Sequence, residues 1–421
     1  MESDAHCGFG GRSHSCDAAS TALRAVRRPD RPTVVGVLDM TRVLVLGGGM
    51  VGSVIARDLA ADAEFEVSLA DIDGQRVQGV CEAAPDPITP VVADCSRPDC
   101  VSELCADHEL IVGAMPGRFG YGALRAVIES GRDYCDISFM PEDAWDLDSL
   151  AKEHGSTCVV DIGVAPGMSN LLAGRAAFRL DPCRAIDIFV GGIPADPKPP
   201  FEYKAGFSPA DVLEEYVRPA RLVEDGRVVI REALSEPESI EFPGVGVLEA
   251  FNTDGLRSLA ERLDVPLMRE KTMRYPGHRE VMLQMREAGF LSEEPVRVGD
   301  VEVVPRDLAA ALLFPHWTYE EGEADLTAMR VEGIGQLDGR DVRLRWDLLD
   351  YYDPESGFSS MARTTAFPCA IMARLIARGV VGEPGVHPPE EFAARDDVLD
   401  ALFTGLQARG VRYTEHIDEI S

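Results

Sequence analysis

A glycine-rich segment near position 50 has the residue types and spacing of a phosphate-binding turn. Gly47, Gly49 and Gly52 follow the order G-x-G-x-x-G, after the apolar run Val43–Leu46 and before a helical stretch. The first glycine permits a tight turn, the second lets the backbone approach a pyrophosphate, and the third lets helix and strand pack closely. The helix N-terminus then offers unpaired N–H groups to the phosphates. The segment predicts a dinucleotide-binding turn.

An acidic residue stands where such a turn needs one. Asp71 ends a second apolar run, 71 − 52 = 19 residues past Gly52. A carboxylate at this spacing binds the adenosine ribose hydroxyls and repels a 2′-phosphate, so NAD is favoured over NADP. The alternative is a Rossmann-like domain that binds no cofactor.

Other strand ends are expected to border the same crevice, because ligands bind outside the carboxyl ends of parallel strands. Asp136 and Asp161 stand at two such ends and could act as bases, or could serve as helix caps. The residues predicted to bind the cofactor are Gly47, Gly49, Met50, Val51, Gly52, Asp71, Asp94, Cys95, Ala114, Met115, Pro116, Asp136 and Ser138.

The elements that must position these residues follow from the hydrophobic pattern. From Thr41 to about Val164, short apolar runs alternate with helical stretches, which predicts a doubly wound parallel sheet of the α/β class. After Gly167, turn signals such as Asp338-Gly339 separate strand-like runs and predict a mixed or antiparallel sheet in a second domain. We interpret the acidic tail from Glu390 as a solvated helix pair.

Composition excludes several classes of protein. The 421 residues carry 41 basic and 72 acidic side chains, a formal net charge of −31, which disfavours nucleic acid as a partner. No stretch is long and apolar enough to cross a bilayer. The ten cysteines form no CxxC pair and no metal-site spacing, so we expect reduced thiols in a cytoplasmic protein without a bound metal. Acid excess with only four lysines favours a halophilic source; a high-GC genome would explain the missing lysines alone.

Several stretches together resemble the saccharopine dehydrogenase family, and within it the lysine 6-dehydrogenase branch. The resemblance runs from about Met40 to His387. The stretches are the glycine motif, Asp161-Ile-Gly-Val-Ala-Pro-Gly-Met168, Gly191-Gly-Ile-Pro194, Lys271-Thr-Met-Arg-Tyr-Pro-Gly-His278 and Met361-Ala-Arg-Thr-Thr-Ala366.

This resemblance implies a domain order. Residues 40–165 would be an NAD(P)-binding Rossmann domain; residues 1–39, which lack apolar periodicity and lie outside the resemblance, are expected to be a disordered or non-native extension. An inserted α+β domain for substrate binding and dimerisation over 166–358 would precede C-terminal helices over 359–421 that return to the first domain. A homodimer or larger homo-oligomer is implied as well.

The resemblance also implies an activity: NAD(P)-linked oxidation or reduction at a carbon that bears an amine. In the lysine 6-dehydrogenase branch, L-lysine is oxidatively deaminated at its ε-carbon. A saccharopine or carboxynorspermidine dehydrogenase or reductase is the alternative, as is a regulator that binds NAD without catalysis. Glu202 suits a substrate ammonium, whereas Lys204 is typical of the reductases.

Amine oxidation needs a base for the proton and an anchor for the amino-acid carboxylate. We expect Arg274 and Arg363 to bind the carboxylate, each alternatively forming a structural salt bridge. The predicted catalytic residues are Asp136, His278 and Lys204. The remaining residues predicted to contact substrate are Tyr203, Lys271 and Thr364.

Overall fold

The computed structural model describes residues 40–420, so the predicted extension over 1–39 lies outside the described residues. Within this range the strands are β1 (Thr41–Leu46), β2 (Phe65–Asp71), β3 (Ile88–Val92), β4 (Leu110–Gly113), β5 (Asp133–Asp136), β6 (Thr157–Val159), β7 (Cys183–Pro194), β8 (Ala220–Glu224), β9 (Arg227–Arg231), β10 (Glu238–Phe242), β11 (Gly246–Asn252), β12 (Leu267–Arg274), β13 (Val296–Val298), β14 (Val301–Val303), β15 (Asp325–Leu337), β16 (Arg340–Tyr351), β17 (Gly385–His387) and β18 (Tyr413–Glu419).

The helices cover both sheets and their edges. They are α1 (Met50–Ala60), α2 (Gly74–Ala83), α3 (Pro98–Cys105), α4 (Gly117–Glu129), α5 (Asp148–His154), α6 (Met168–Arg179), α7 (Pro209–Val217), α8 (Leu259–Arg262), α9 (His278–Glu287), α10 (Pro305–Trp317), α11 (Ser360–Ala377) and α12 (Asp396–Ala408), with short 3₁₀ turns at Ala144–Leu147 and Pro389–Phe392. No helix between residues 40 and 420 combines the length and apolarity needed to cross a membrane.

The first sheet is parallel throughout and has the strand order β17-β6-β5-β4-β1-β2-β3. Strand β1 is buried on both faces. Val43 and Val45 belong to the hydrophobic cluster on one face, whereas Leu44 and Leu46 belong to the cluster on the other. Strand β2 lies on one side of β1, and after β3 the chain crosses to place β4 on the other side, so a crevice opens at the carboxyl end of β1. The predicted α/β class is confirmed.

The second sheet is mixed, as predicted, with the order β10-β11-β12-β7-β15-β16-β18 and with β8 and β9 attached through β12. Strands β12 and β7 are parallel, and their neighbours pair antiparallel. The predicted turn joins β15 to β16, where Asp338 and Gly339 both have positive φ. The precise domain boundaries stay a prediction.

The interpretation of the tail was wrong. Residues beyond Glu390 form one long helix, α12, and the strand β18 rather than a solvated helix pair. The helix buries Val398, Leu399, Leu402 and Leu406 in the main core, and β18 pairs with β16 along seven residues. These four apolar residues recur at helical spacing between acidic residues. The interpretation was based on the acidic residues and therefore missed the apolar face that packs on the core.

Candidate active site

A cavity of about 740 Å³ lies between the carboxyl end of the first sheet and one face of the second. The first sheet contributes the glycine turn and the segments after β4, β5 and β6. The second contributes β7, β12, helix α7 and the loop after β11. A cleft bordered by both a dinucleotide-type turn and a polar sheet face can hold a cofactor and a substrate side by side.

The glycine turn fits a bound dinucleotide. A Cβ on Gly52 would lie 1.9 Å from the carbonyl oxygen of Gly47, so the third glycine is required for helix α1 to pack on β1. A Cβ on Gly49 would meet no atom within 4 Å, so the backbone there borders open space. Helix α1 begins at Met50 with no side-chain cap at its N-terminus, which leaves N–H groups free for phosphate oxygens.

Asp71 lies beside this turn, at the end of β2. Its Oδ2 atom accepts a hydrogen bond from the Gly48 N–H (2.7 Å), and its Oδ1 atom accepts one from the Asp73 N–H (2.9 Å). These bonds hold the carboxylate against the cavity with lone pairs left for ribose hydroxyls. The Arg76 guanidinium, 3.9 Å from Oδ2, lines the same end of the cavity.

The other residues predicted to bind cofactor divide into two groups. Met50, Val51, Ala114, Met115 and Pro116 line the cavity. The residues outside its lining are Gly52, Asp94, Cys95, Asp136 and Ser138.

Asp136 is fully buried behind the cavity wall. It accepts hydrogen bonds from the Tyr134 hydroxyl (2.5 Å) and the Ser138 N–H (2.6 Å), and burial raises its pKa to about 7. Its neighbours Ile137 and Phe139 face the cavity instead. This placement does not support contact between Asp136 and a substrate or cofactor.

One face of β12 forms the opposite wall. Glu270, Thr272 and Arg274 alternate along the strand, and all three line the cavity. Lys271 has the opposite parity and therefore points to the other face, where its ammonium contacts the Glu236 carbonyl oxygen (2.7 Å) and the Glu238 carboxylate (2.6 Å). Lys271 and Arg274, predicted together, thus lie on different faces of one strand.

Arg274 is buried in a network of polar groups. Its Nη2 atom is 3.0 Å from Glu215 Oε2, its Nε–H donates to the Tyr216 hydroxyl (3.4 Å), and its guanidinium packs 4.6 Å from the centre of the Tyr203 ring. Glu215 balances the arginine charge through this ion pair. Both side chains line the cavity while remaining largely screened from solvent.

His278 supports that network from behind. Its Nδ1 atom faces the Phe201 carbonyl oxygen (2.9 Å) and so carries the proton, which leaves Nε2 to accept from the Tyr216 hydroxyl (2.9 Å). Burial and the neighbouring Arg274 lower the histidine pKa to about 3. His278 is outside the cavity lining and is held neutral, so its position supports the orientation of Tyr216 more directly than proton exchange with a substrate.

Lys204 and Arg363 have partners elsewhere. Lys204 pairs with Glu323 and, with Tyr203, lines a separate cavity of about 230 Å³.

Arg363 binds Asp350 (3.2 Å) and also contacts Asp353 and the Arg409 carbonyl oxygen. On helix α11 it is Met361 and Thr365, one turn apart, that face the main cavity; the Thr364 hydroxyl donates to the Ser360 carbonyl oxygen. Arg363, Thr364 and Lys204 therefore lie outside the main cleft.

Several polar groups in the cleft were not predicted, and Glu270 and Arg218 matter most among them. Glu270 could have been found by counting back from Arg274 in steps of two, had β12 been identified as a strand. Arg218 follows helix α7 with no recognisable motif. Its guanidinium packs 4.9 Å from the Phe139 ring and, within residues 40–420, has no hydrogen bond or ion pair. It is available for a substrate carboxylate.

A buried ion pair joins the two walls of the cleft. Arg257, in the loop after β11, donates to Asp161 after β6, with Nε–Oδ2 and Nη2–Oδ1 distances of 3.0 and 3.4 Å. Both side chains are buried, and Asp161 has a left-handed backbone with φ of 54°. Asp161 thus has a structural partner rather than a free carboxylate.

Comparison with known proteins agrees with this geometry. Residues 43–159 match the family described as saccharopine dehydrogenase NADP binding domain, and residues 163–411 match the saccharopine dehydrogenase C-terminal domain. The chain is 23% identical over 453 residues to saccharopine dehydrogenase [NADP(+), L-glutamate-forming] of Schizosaccharomyces pombe, covering 90% of this chain and 99% of the relative.

Two further similarities extend this result. The mitochondrial alpha-aminoadipic semialdehyde synthase of Bos taurus is 23% identical over 446 residues, covering 89% of this chain and 47% of that protein. Apo saccharopine dehydrogenase (L-Glu forming) from Saccharomyces cerevisiae superimposes with a TM-score of 0.74 at 19% identity, over 90% of this chain and 99% of that one, which supports the fold. The predicted family and the prediction of an NAD(P)-linked oxidoreductase are confirmed: the chain belongs to the saccharopine dehydrogenase family.

Proposed function

We propose that this protein is an NAD(P)-dependent oxidoreductase that makes or breaks a carbon–nitrogen bond of an amino-acid substrate. The observation that carries the proposal is the shared cavity. The dinucleotide turn with Asp71 borders one end, and Glu270, Arg274 and the unpaired Arg218 border the other. A bound nicotinamide would supply hydride transfer in the space between them.

Arg218 and Arg274, both on the second wall, have different roles in substrate binding. The Arg218 guanidinium binds the substrate carboxylate, since two parallel N–H groups match a carboxylate's two oxygens. The Phe139 ring beneath it restricts its motion. Arg274, already balanced by Glu215, presents a fixed polar surface rather than a free charge.

The charge balance of the cleft favours the lysine 6-dehydrogenase prediction as the finer assignment. Three of its carboxylates have arginine partners: Glu214 with Arg306, Glu215 with Arg274 and Asp254 with Arg221. On the substrate side this leaves one guanidinium, Arg218, and two carboxylates, Asp211 and Glu270, without an ion pair among the described residues, which suits a monocarboxylate with an amine. Saccharopine and carboxynorspermidine stay the alternatives, and the relatives named for saccharopine support the first of these.

For the cofactor, we propose NAD as the preferred partner because Asp71 stands where a 2′-phosphate would be repelled. Arg76 favours NADP instead, since its guanidinium lies 3.9 Å from Asp71 and could turn toward a 2′-phosphate. The relatives named for NADP(+) make the comparison of both dinucleotides necessary.

The test is a panel of substrates with both cofactors. Purified protein is assayed at 340 nm for reduction of NAD and NADP by L-lysine, saccharopine and carboxynorspermidine, and for the reverse reactions, at low and high salt. We expect turnover of at least one amino-acid amine. Dinucleotide binding without turnover of any member would favour the non-catalytic regulator and overturn the proposed function.

A further inference from the structure

Among the carboxylates that line the cleft, Glu270 combines deep burial with the lack of a cationic partner; Asp211, which also has no ion pair within the described residues, is only partly buried. Glu270 is 3% exposed, it lines the cavity, and within the described part of the chain it has no arginine or lysine partner. Its Oε2 atom accepts a hydrogen bond from the Thr253 hydroxyl (2.7 Å). Burying a carboxylate without a cationic partner raises the free energy of its charged form, so this side chain holds a proton more readily than an exposed glutamate does.

The surroundings fix the position of the Glu270 carboxyl group. The Thr253 hydroxyl lies 2.8 Å from that of Thr272, so the two threonines form a short hydrogen-bonded chain on the cavity wall. A Cβ on Gly255 would come within 2.3 Å of the Glu270 carboxyl carbon. The glycine leaves the room that the carboxyl group needs, and any larger residue there would displace it.

The charged groups around Glu270 favour its neutral form. Burial raises its pKa to about 8, and the nearby carboxylates of Glu215 and Asp254 add to the increase. The arginines that face this region, Arg274 on β12 and Arg221 on β8, are each paired with one of those carboxylates. A group that changes charge near neutral pH can both accept and return a proton.

We propose, on the basis of the function proposed above, that Glu270 is the residue that exchanges a proton with the substrate amine. In the oxidative direction an ammonium N–H bond breaks and its proton passes to a Glu270 carboxylate oxygen. The freed lone pair then forms the C=N bond as hydride leaves the carbon for the oxidised dinucleotide. Water subsequently cleaves the imine. In the reductive direction Glu270 returns the proton to nitrogen.

The activity test compares Glu270→Gln with Glu270→Asp and with Glu241→Gln, an exposed glutamate on β10. We expect Glu270→Gln to lower kcat by about 10²- to 10⁴-fold, the usual effect of losing a general acid or base. Its affinity for NADH, measured by fluorescence, should stay within about twofold of wild type. The aspartate variant should restore part of the rate, and Glu241→Gln should behave as wild type.

A second readout is independent of turnover. Since the folded-state pKa of Glu270 lies above its unfolded value, the folded state binds more protons between pH 4.5 and pH 8, and stability is lost as pH rises through that window. Glu270→Gln lacks this loss. Its Tm should therefore gain on that of wild type from pH 5 to pH 8, while Glu241→Gln shows no such trend.

The outcomes separate the two proposals. An active wild type whose Glu270→Gln variant keeps its kcat and its pH–rate profile would overturn the role of Glu270 alone. A pH-independent difference in Tm would overturn it as well, because the carboxyl would then titrate normally. An inactive wild type across the whole substrate panel would overturn the proposed function, and the role of Glu270 with it.

Discussion

The Nη2 atom of Arg274 lies 3.0 Å from Oε2 of Glu215, and both side chains border the cleft. The pair sits on two elements, β12 and α7, that are otherwise far apart in the chain. A guanidinium balanced in this way does not need a substrate carboxylate to be stable. The role of Arg274 as a carboxylate anchor stays a prediction. Its ion pair with Glu215 should also contribute to the stability of the fold.

Replacing Arg274 by Ala should destabilise the fold as well as weaken substrate binding. The substitution leaves the Glu215 carboxylate without its partner, and removal of one member of a buried pair typically costs about 3–5 kcal/mol. Thermal unfolding should show a lower Tm, which a second substitution, Glu215→Gln, should partly restore. Additive losses in the double variant would mean that the two residues do not interact.

Arg218→Ala should instead weaken substrate binding while leaving the fold intact. The guanidinium has no ion pair within residues 40–420, so its loss breaks no salt bridge of the fold, although Asp211 and Glu215 lose the nearby positive charge that lowers their pKa values. A hydrogen bond to a charged group contributes about 1.5–3 kcal/mol, which corresponds to a KM increase of roughly 10- to 100-fold. Arg227→Ala, an exposed arginine on β9, is the matched control. An unchanged KM would remove Arg218 from the site.

Asp71 and Arg76 should act in opposite directions on cofactor choice. Asp71→Ala removes the group predicted to bind the ribose hydroxyls, so the Kd for NAD should rise by about tenfold or more. Arg76→Ala should weaken NADP more than NAD, because it removes the nearby positive charge. Titration by fluorescence measures both, with the exposed Asp107→Ala as control. If Asp71→Ala leaves the NAD affinity unchanged, the cofactor assignment is wrong.

Local patterns predicted which residues line the cleft at the glycine turn much better than those that line its opposite wall. Gly47, Gly52 and Asp71 belong to one strand–turn–helix–strand unit, where short-range spacing determines position. Glu270 and Arg218 meet only when two sheets pack together, and no local pattern encodes that contact. Lys271 is an example. Because β12 was not predicted as a strand, the odd spacing between Lys271 and Arg274 could not be used to place the two side chains on opposite faces.

The same limitation affected helix α11. The M-A-R-T-T-A stretch suggested functional residues, yet Arg363 and Thr364 turn toward Asp350 and Ser360. The cavity receives Thr365 instead. A motif marks the segment that approaches a site, but the rotation of the helix decides which side chains enter it.

His278 provides a prediction about acid stability. Its folded-state pKa is lowered to about 3, below the ordinary value of 6.5, so the unfolded state binds more protons between those values. Its contribution to stability is therefore present above pH 6.5 and is lost as pH falls toward 3. Wild type should lose more Tm than His278→Gln between pH 7.5 and pH 4.5.

The control for this experiment is His154→Gln, at the exposed end of α5, which should follow the wild-type curve closely. The three proteins have the same acidic residues, so the difference between variants isolates the histidine. A Tm difference that does not change with pH would mean that His278 gains a proton as easily in the folded chain as in the unfolded one. That result would contradict its placement between Tyr216 and Phe201, and would reopen its predicted role in proton exchange.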